Sequence, residues 1–239
     1  MLDKNKSIVL FSGGQDSSAC LVWALQNYKE VQTVGFDYGQ RHKVELKCRK
    51  NLLKKLNLMS DNFIGKLSTD HVVNLEEIKN ISNSSLLNSN KIEVLANGLP
   101  SSFVPGRNLI FLNYAAIISY KNSIQNIIGG MCETDFSGYP DCRNDTIISM
   151  QESLSLGMDE KFIIKTPLMF KSKDEIWDLI YKAGGKGLID VILEESHTCY
   201  KGDRSKRYSW GYGCKSCPAC ELRIKGWDSF VKNNPEMKI

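Results

Sequence analysis

No apolar run in the 239-residue chain approaches the ~18 residues of a membrane span, so no segment reads as integral to a membrane. No cleavable leader is expected either, since Met1-Leu2-Asp3-Lys4-Asn5-Lys6 leads straight into an apolar run, and a cytoplasmic location is expected. Net charge is slight, +4 formally, and four cysteines holding a divalent ion as thiolates would bring it to about +2. That balance gives no support for a dominant nucleic-acid surface, so no nucleic-acid partner is expected and a small acidic substrate fits at least as well. There is no internal repeat. Low complexity is confined to the polar stretch 78–91, which reads as a mobile insertion, either a lid over the site or a plain surface loop.

What is present is enough apolar residue, 42% of the chain, to bury a sizeable core. Strand-like runs recur at Ser7 to Phe11, Val31 to Phe36, Asp61 to Leu67, Gln125 to Met131 and Lys161 to Thr166. Helical periodicity separates them at Gln15 to Asn27, Gln40 to Leu56, Leu109 to Tyr120, Asp145 to Leu156 and Lys173 to Ala183. This alternation predicts an α/β fold, a parallel five-stranded sheet flanked by helices, with ligand at the carboxyl ends of the strands. From about Leu188 the pattern changes to metal-ligand spacing, which divides the chain into 1–187 and a small C-terminal region, 188–239.

The most informative segment is Ser7-Ile8-Val9-Leu10-Phe11 followed by Ser12-Gly13-Gly14-Gln15-Asp16-Ser17-Ser18, a strand running through a glycine turn into a helix. Free amides at such a helix start, with the positive end of its dipole, favour an anion. The two glycines permit close backbone approach, and the hydroxyls of Ser12, Ser17 and Ser18 add donors. No lysine follows the glycines, so this is not the G-x-x-x-x-G-K-[ST] loop, nor is it G-x-G-x-x-G. The plain alternative is a Ser/Gly turn that merely joins strand to helix.

Eight cysteines divide into four scattered ones, Cys20, Cys48, Cys132 and Cys142, and four clustered ones. Cys199, Cys214, Cys217 and Cys220 have the spacing C-x14-C-x2-C-x2-C, which suits one closed tetrahedral zinc site with a structural role. His197 is a competing ligand, and a sulfur-transfer pair at Cys217 and Cys220 is a competing use. Upstream, Phe103-Val104-Pro105-Gly106-Arg107-Asn108 forms a turn in which Asn108 can cap the following helix, leaving Arg107 to face an anion or solvent. The run Glu133 to Arg143 supplies carboxylates and aromatics after a strand, a set able to read a guanine-like edge and stack on its ring; an acidic loop at a helix start is the alternative. His42, at the start of the second helix with Glu45 following, is a candidate for proton transfer or for a capping or surface role.

The SGGQDS loop resembles the signature of the PP-loop, or N-type, ATP pyrophosphatases. Taken together, SGGQDSS, FDYGQRH at 36–42, VPGRN at 104–108, ETDFSGYPDCR at 133–143, KTPL at 165–168, TCY and GCKSCPACELR resemble the 7-cyano-7-deazaguanine synthase family of queuosine biosynthesis. The chain departs from that pattern in a lengthened segment, Lys201 to Trp210, between the first two cluster cysteines. The resemblance implies an adenine nucleotide alpha hydrolase-like fold and a reaction of 7-carboxy-7-deazaguanine, ammonia and ATP that gives the nitrile, AMP and pyrophosphate. It implies ATP with Mg²⁺ on Phe11, Ser12, Gly13, Gly14, Gln15, Asp16, Ser17, Ser18, Ala19, Cys20 and Leu21, and on Asp37, Tyr38 and Gly39. Ser12, Asp16, Ser17, Arg107 and Lys165 are its implied catalytic groups, and Glu133, Asp135, Tyr139 and Asp141 its implied contacts to the deazaguanine. A homodimer is compatible with it. Two readings compete: a PP-loop tRNA-modifying enzyme, thiolase or lysidine-type ligase, which would want a basic surface or RNA domain that is not evident, and a zinc-ribbon binding module on an inert α/β body.

Overall fold

In the computed structural model the described residues are 1–237, other than 41–43, 60–62, 83, 88–92, 97 and 134–137. Five parallel strands, β1 (Asp3–Leu10), β2 (Glu30–Asp37), β3 (Leu67–Asn74), β4 (Ile124–Ile128) and β5 (Ile163–Lys165), form one sheet in the order β3-β2-β1-β4-β5. The order reverses direction at β1, so β1 and its neighbours β2 and β4 open a crevice at their carboxyl ends. Seven helices among the described residues connect and cover the strands: α1 (Gln15–Asn27), α2 (Val44–Met59), α3 (Ile78–Ile81), α4 (Arg107–Lys121), α5 (Asn144–Gly157), α6 (Lys173–Glu195) and α7 (Pro218–Asn233). A two-residue hairpin, β6 (Arg207–Tyr208) and β7 (Gly211–Tyr212), lies between the last two helices.

Strand alternation sorts the core into two layers. Val9, Val31 and Ile128 face one side with α1, α2, α6 and α7, whereas Ile8, Val34, Ile127 and Ile164 face the other with α4 and α5. Trp177 of α6, wholly buried, meets Trp227 of α7 edge to face at 5.1 Å and joins Phe230 in the first layer. The division drawn at 187/188 falls within α6, and Trp210, Trp227 and Phe230 share a core with α1, so the C-terminal segment has no separate core of its own.

Several boundaries differ from expectation for identifiable reasons. The third strand is Leu67–Asn74, not Asp61 to Leu67; Phe63 to Lys66 form a turn through Gly65 at φ +75°. The helix expected to stop at Ala183 is interrupted there, with Gly184 and Gly185 off helical geometry, and then continues to Glu195. Asn108 does not cap α4. Val104 O accepts from Arg107 N–H at 3.1 Å across Pro105 and Gly106, the latter at φ +73°, a type II turn that starts the helix two residues earlier. Of the polar stretch 78–91, residues 78–82 and 84–87 are described, and Ile78 and Leu87 pack under Val104.

Candidate active site

A cleft of about 360 Å³ opens at the carboxyl ends of β1 and β2. One end is the serine-glycine loop. Ser17 Oγ sits at its centre, accepting from the Ser12 and Gly13 N–H groups at 3.3 and 3.2 Å and donating to Gly14 O at 3.1 Å. Ser12 Oγ accepts from Gly14 N–H, and Ser18 Oγ donates to Gly14 O at 2.7 Å. Gly14 is the N-cap of α1 without a side-chain cap, so the helix start keeps donors for an anion. Gly13 has φ +90°, and a β-carbon on it would lie 2.9 Å from Arg49 N and 3.0 Å from Glu45 O, so both backbone and space demand glycine.

The other end is aromatic and cationic. Phe36 and Phe111 stack at 4.0 Å with rings nearly parallel, and Arg107 lies over Tyr38 and Phe111 at 5.6 and 5.9 Å. The Arg107 Nε is buried and donates to no described group. Tyr139 completes this end, its hydroxyl 2.7 Å from Ser102 Oγ.

Of the expected ATP-binding residues, Phe11, Ser12, Gly14, Gln15, Asp16, Ser17 and Tyr38 line the cleft. Ala19, Cys20 and Leu21 do not: they are wholly buried on the inner face of α1, and Cys20 donates to Gly129 O. Asp37 and Gly39 flank Tyr38 without lining the cleft, and Gly13 and Ser18 shape the loop from behind.

Lys165 is not among the residues that line the cleft; it ends β5 with its ammonium over the Tyr28 and Trp23 rings at 5.4 and 5.9 Å. The cation that does reach the loop is Lys173, first residue of α6, whose Nζ contacts Asp16 Oδ2 at 2.7 Å. The substrate-binding candidates are similarly divided. Tyr139 lines the cleft, but Asp141 is buried with its Oδ2 accepting from Asn108 N–H at 3.0 Å, which caps α4. Glu133 is exposed and caps α5 through Asn144 N–H at 2.6 Å. Asp135 and His42 lie outside the described residues.

Sequence reasoning did not single out Arg49 or Arg223 for the site. Arg49, 1% exposed, donates to Phe11 O, His71 O and the Asp70 carboxylate beneath the loop. Glu45 lines the cleft too, and burial pushes its carboxyl up to about 7, against the pull of Arg107.

The four clustered cysteines come together. Their Sγ atoms all lie within 4.8 Å of one another, and a tetrahedral zinc tetrathiolate has edges of about 3.8 Å, so the donor set and its closure fit a metal ion. Gly213 has no room for a side chain, since a β-carbon would lie 2.8 Å from Trp210. His197 is not among the grouped ligands: its ring Nε2 is 3.0 Å from Cys199 O, and its backbone N–H donates to Gly13 O at 3.0 Å, laying the segment that enters the cluster on the serine-glycine loop. The lengthened segment ties down α6, with Arg204 donating to Glu194 O and Ser196 O and Arg207 pairing with Glu194 at 3.0 Å.

The family model described as "Queuosine biosynthesis protein QueC" matches residues 6–231. Proteins named 7-cyano-7-deazaguanine synthase are similar along nearly their whole length. The one from Rhodopseudomonas palustris (strain ATCC BAA-98 / CGA009) is 53% identical over 94% of this chain and 95% of its own, and the one from Methylibium petroleiphilum is 52% identical over 96% and 97%. A Bradyrhizobium sp. protein of that name is 50% identical over 96% of both chains. Among solved structures, a 4-thiouridine synthetase in complex with RNA and ATP shares the fold, with a TM-score of 0.53 and 17% identity over 98% of this chain and 52% of that one. No helix among the described residues is long and apolar enough to cross a membrane.

Proposed function

The chain belongs to the queuosine biosynthesis QueC family, and from that premise we propose that it converts 7-carboxy-7-deazaguanine, ammonia and ATP into 7-cyano-7-deazaguanine, releasing AMP and pyrophosphate. The observation that carries this reading is identity of about 50% to relatives named for that activity, along almost the whole chain. The RNA-handling neighbour is related in fold alone, which leaves the tRNA-modifying alternative without comparable support.

Making a nitrile from an acid removes two oxygens, and each removal needs an activated oxygen. The substrate carboxylate attacks the α-phosphorus and pyrophosphate leaves; ammonia then displaces AMP to give the amide. Adenylation of the amide oxygen and loss of AMP give the nitrile. The chain's contribution is positioning and charge. The α1 N-terminus and the hydroxyls of Ser12 and Ser17 suit the β and γ phosphates, with Lys173 beside them supplying the positive charge. When bound with ATP, Mg²⁺ would screen phosphate charge, and Asp16 is the cleft carboxylate nearest that task. At the other end, the unpartnered Arg107 Nε suits the substrate carboxylate, and the Tyr38, Phe111 and Tyr139 rings suit a flat heterocycle. Cys199, Cys214, Cys217 and Cys220 would hold one zinc, closing the α7 start against the loop.

The test is mass spectrometry of products from purified protein with 7-carboxy-7-deazaguanine, ammonium, ATP and Mg²⁺. The expected result is the nitrile with AMP accumulating, abolished in Asp16→Ala while zinc content is kept. Untouched substrate with no AMP would overturn the reading.

A further inference from the structure

Among the described residues, two carboxylates line the cleft, and only one is committed to a partner. Asp16 is held by Lys173 at 2.7 Å. Glu45, in the first turn of α2, makes no hydrogen bond or ion pair with any described residue. Its backbone oxygen lies 3.0 Å from where a Gly13 β-carbon would stand, so α2 begins directly beneath the anion loop. Its charge couples to Arg107 of α4 and to Tyr38 beyond β2, which belong to the aromatic end. Arg49, one turn further along α2, is turned away to Asp70. Glu45 thus stands at the junction of the two halves of the cleft, where a carboxyl group and an α-phosphorus would meet.

The proposed reaction needs a nucleophile there that water does not supply. Ammonia is almost wholly ammonium at neutral pH, and ammonium has no lone pair to attack with. We propose that Glu45 binds ammonium at this junction and takes its proton, freeing ammonia against the adenylated carboxyl carbon. The inference rests on the family reading above. The N–H bond breaks with its electron pair left on nitrogen, and the proton passes to a Glu45 oxygen. That pair forms the C–N bond, and the C–O bond to AMP then breaks with its electrons on the phosphate oxygen. A second proton leaves nitrogen to water, giving amide, AMP and two protons overall, with no change of oxidation state. A carboxyl that burial raises to about 7 is half-charged near neutrality, which suits a proton acceptor that must discharge after each turnover.

The test compares ammonium with hydroxylamine, which is already neutral at pH 7 and traps the same adenylate as a hydroxamate. In Glu45→Gln the rate with ammonium should fall about 100-fold relative to that with hydroxylamine, within the range of a lost general base. Glu45→Asp should recover part of the ratio. An unchanged ratio, whether both rates fall together or neither falls, would overturn the inference while leaving the family reading intact. A wild-type protein that forms neither AMP nor hydroxamate would overturn that reading, and this inference with it.

Discussion

Gly35→Ala should be among the most damaging single-carbon additions to this protein, because of a side chain rather than a backbone angle. Gly35 lies in β2, paired with Val72 of β3, on the sheet face covered by α2. A β-carbon there would stand 2.7 Å from Arg49 Cζ and 3.0 Å from its Cδ. Arg49 cannot retreat cheaply: it is 1% exposed, and its guanidinium donates to Phe11 O at 2.7 Å, Asp70 Oδ2 at 2.7 Å and His71 O at 3.1 Å. Overpacking alone costs about 1–3 kcal/mol, and any hydrogen bond stripped from a buried charge adds to it. A loss of about 2–4 kcal/mol is expected, which for a chain of this size lowers Tm by roughly 5–15 °C. Urea unfolding of wild type, Gly35→Ala, Arg49→Met and the double variant forms a cycle that isolates the clash. In the Arg49→Met background the alanine should cost under about 1 kcal/mol. Equal cost in both backgrounds would refute the reasoning, since the penalty would then belong to the strand and not to Arg49.

Lys173→Met removes a cation beside the phosphate loop; a charged hydrogen bond worth about 1.5–3 kcal/mol implies ATP binding weaker by roughly 10- to 100-fold by calorimetry, and unaltered affinity would remove Lys173 from the nucleotide site. Cys217→Ser should lower bound zinc from about one per chain toward none and reduce Tm with it, as metal analysis and thermal unfolding will show; a stable, metal-free variant would refute a structural site. Because Glu45 is raised to about 7 from an unfolded value near 4.5, the folded state holds the extra proton between those values, so this group's contribution to stability falls as pH rises through that window. Glu45→Gln should therefore gain on wild type, by on the order of 3 kcal/mol, between pH 4.5 and pH 8; a constant difference across that range would mean that the carboxyl does not resist ionisation in the folded state.

The parts of the fold legible in the sequence were those with strong local signals. Helix α1 runs from Gln15 to Asn27 as its apolar spacing indicates, and β1 and β2 are legible from Ile8 and Val9 and from Val31, Val34 and Phe36, buried because both faces of these strands are covered. β3 was misplaced because it is an edge strand: Leu67-Ser68-Thr69-Asp70-His71-Val72-Val73-Asn74 is largely exposed, and its pairing is fixed by β2 instead of by its own pattern. The anion loop and the cysteine set were legible because their ligands are close in sequence. Lys173 was not: it reaches Asp16 across 157 residues, and only the docking of α6 brings it there. Glu133 and Asp141 have the composition of a recognition loop, yet their oxygens are used to cap α5 and α4, a competition for carboxylates that spacing alone does not resolve.

The C-terminal segment is better understood as a wall of the cleft than as an appendage. Cys217 is the N-cap of α7 and Cys220 lies in its first turn, so a bound metal fixes where that helix starts. Ala219, Leu222 and Arg223 of the same helix line the cleft, and Arg223 is held by Trp210 O at 2.9 Å and Thr198 Oγ at 2.8 Å. Further along, Gly226 lets α7 press against Lys173, whose carbonyl carbon would lie only 3.0 Å from a β-carbon there. The cysteine cluster, the segment at His197 bonded to Gly13 O and the Lys173–Asp16 pair are therefore mechanically continuous. Cys199 itself lines the cleft, so the cysteine cluster, the helix that starts on it and the lysine that faces the loop form one packed wall, and a disturbance at any of the three reaches the others through that packing.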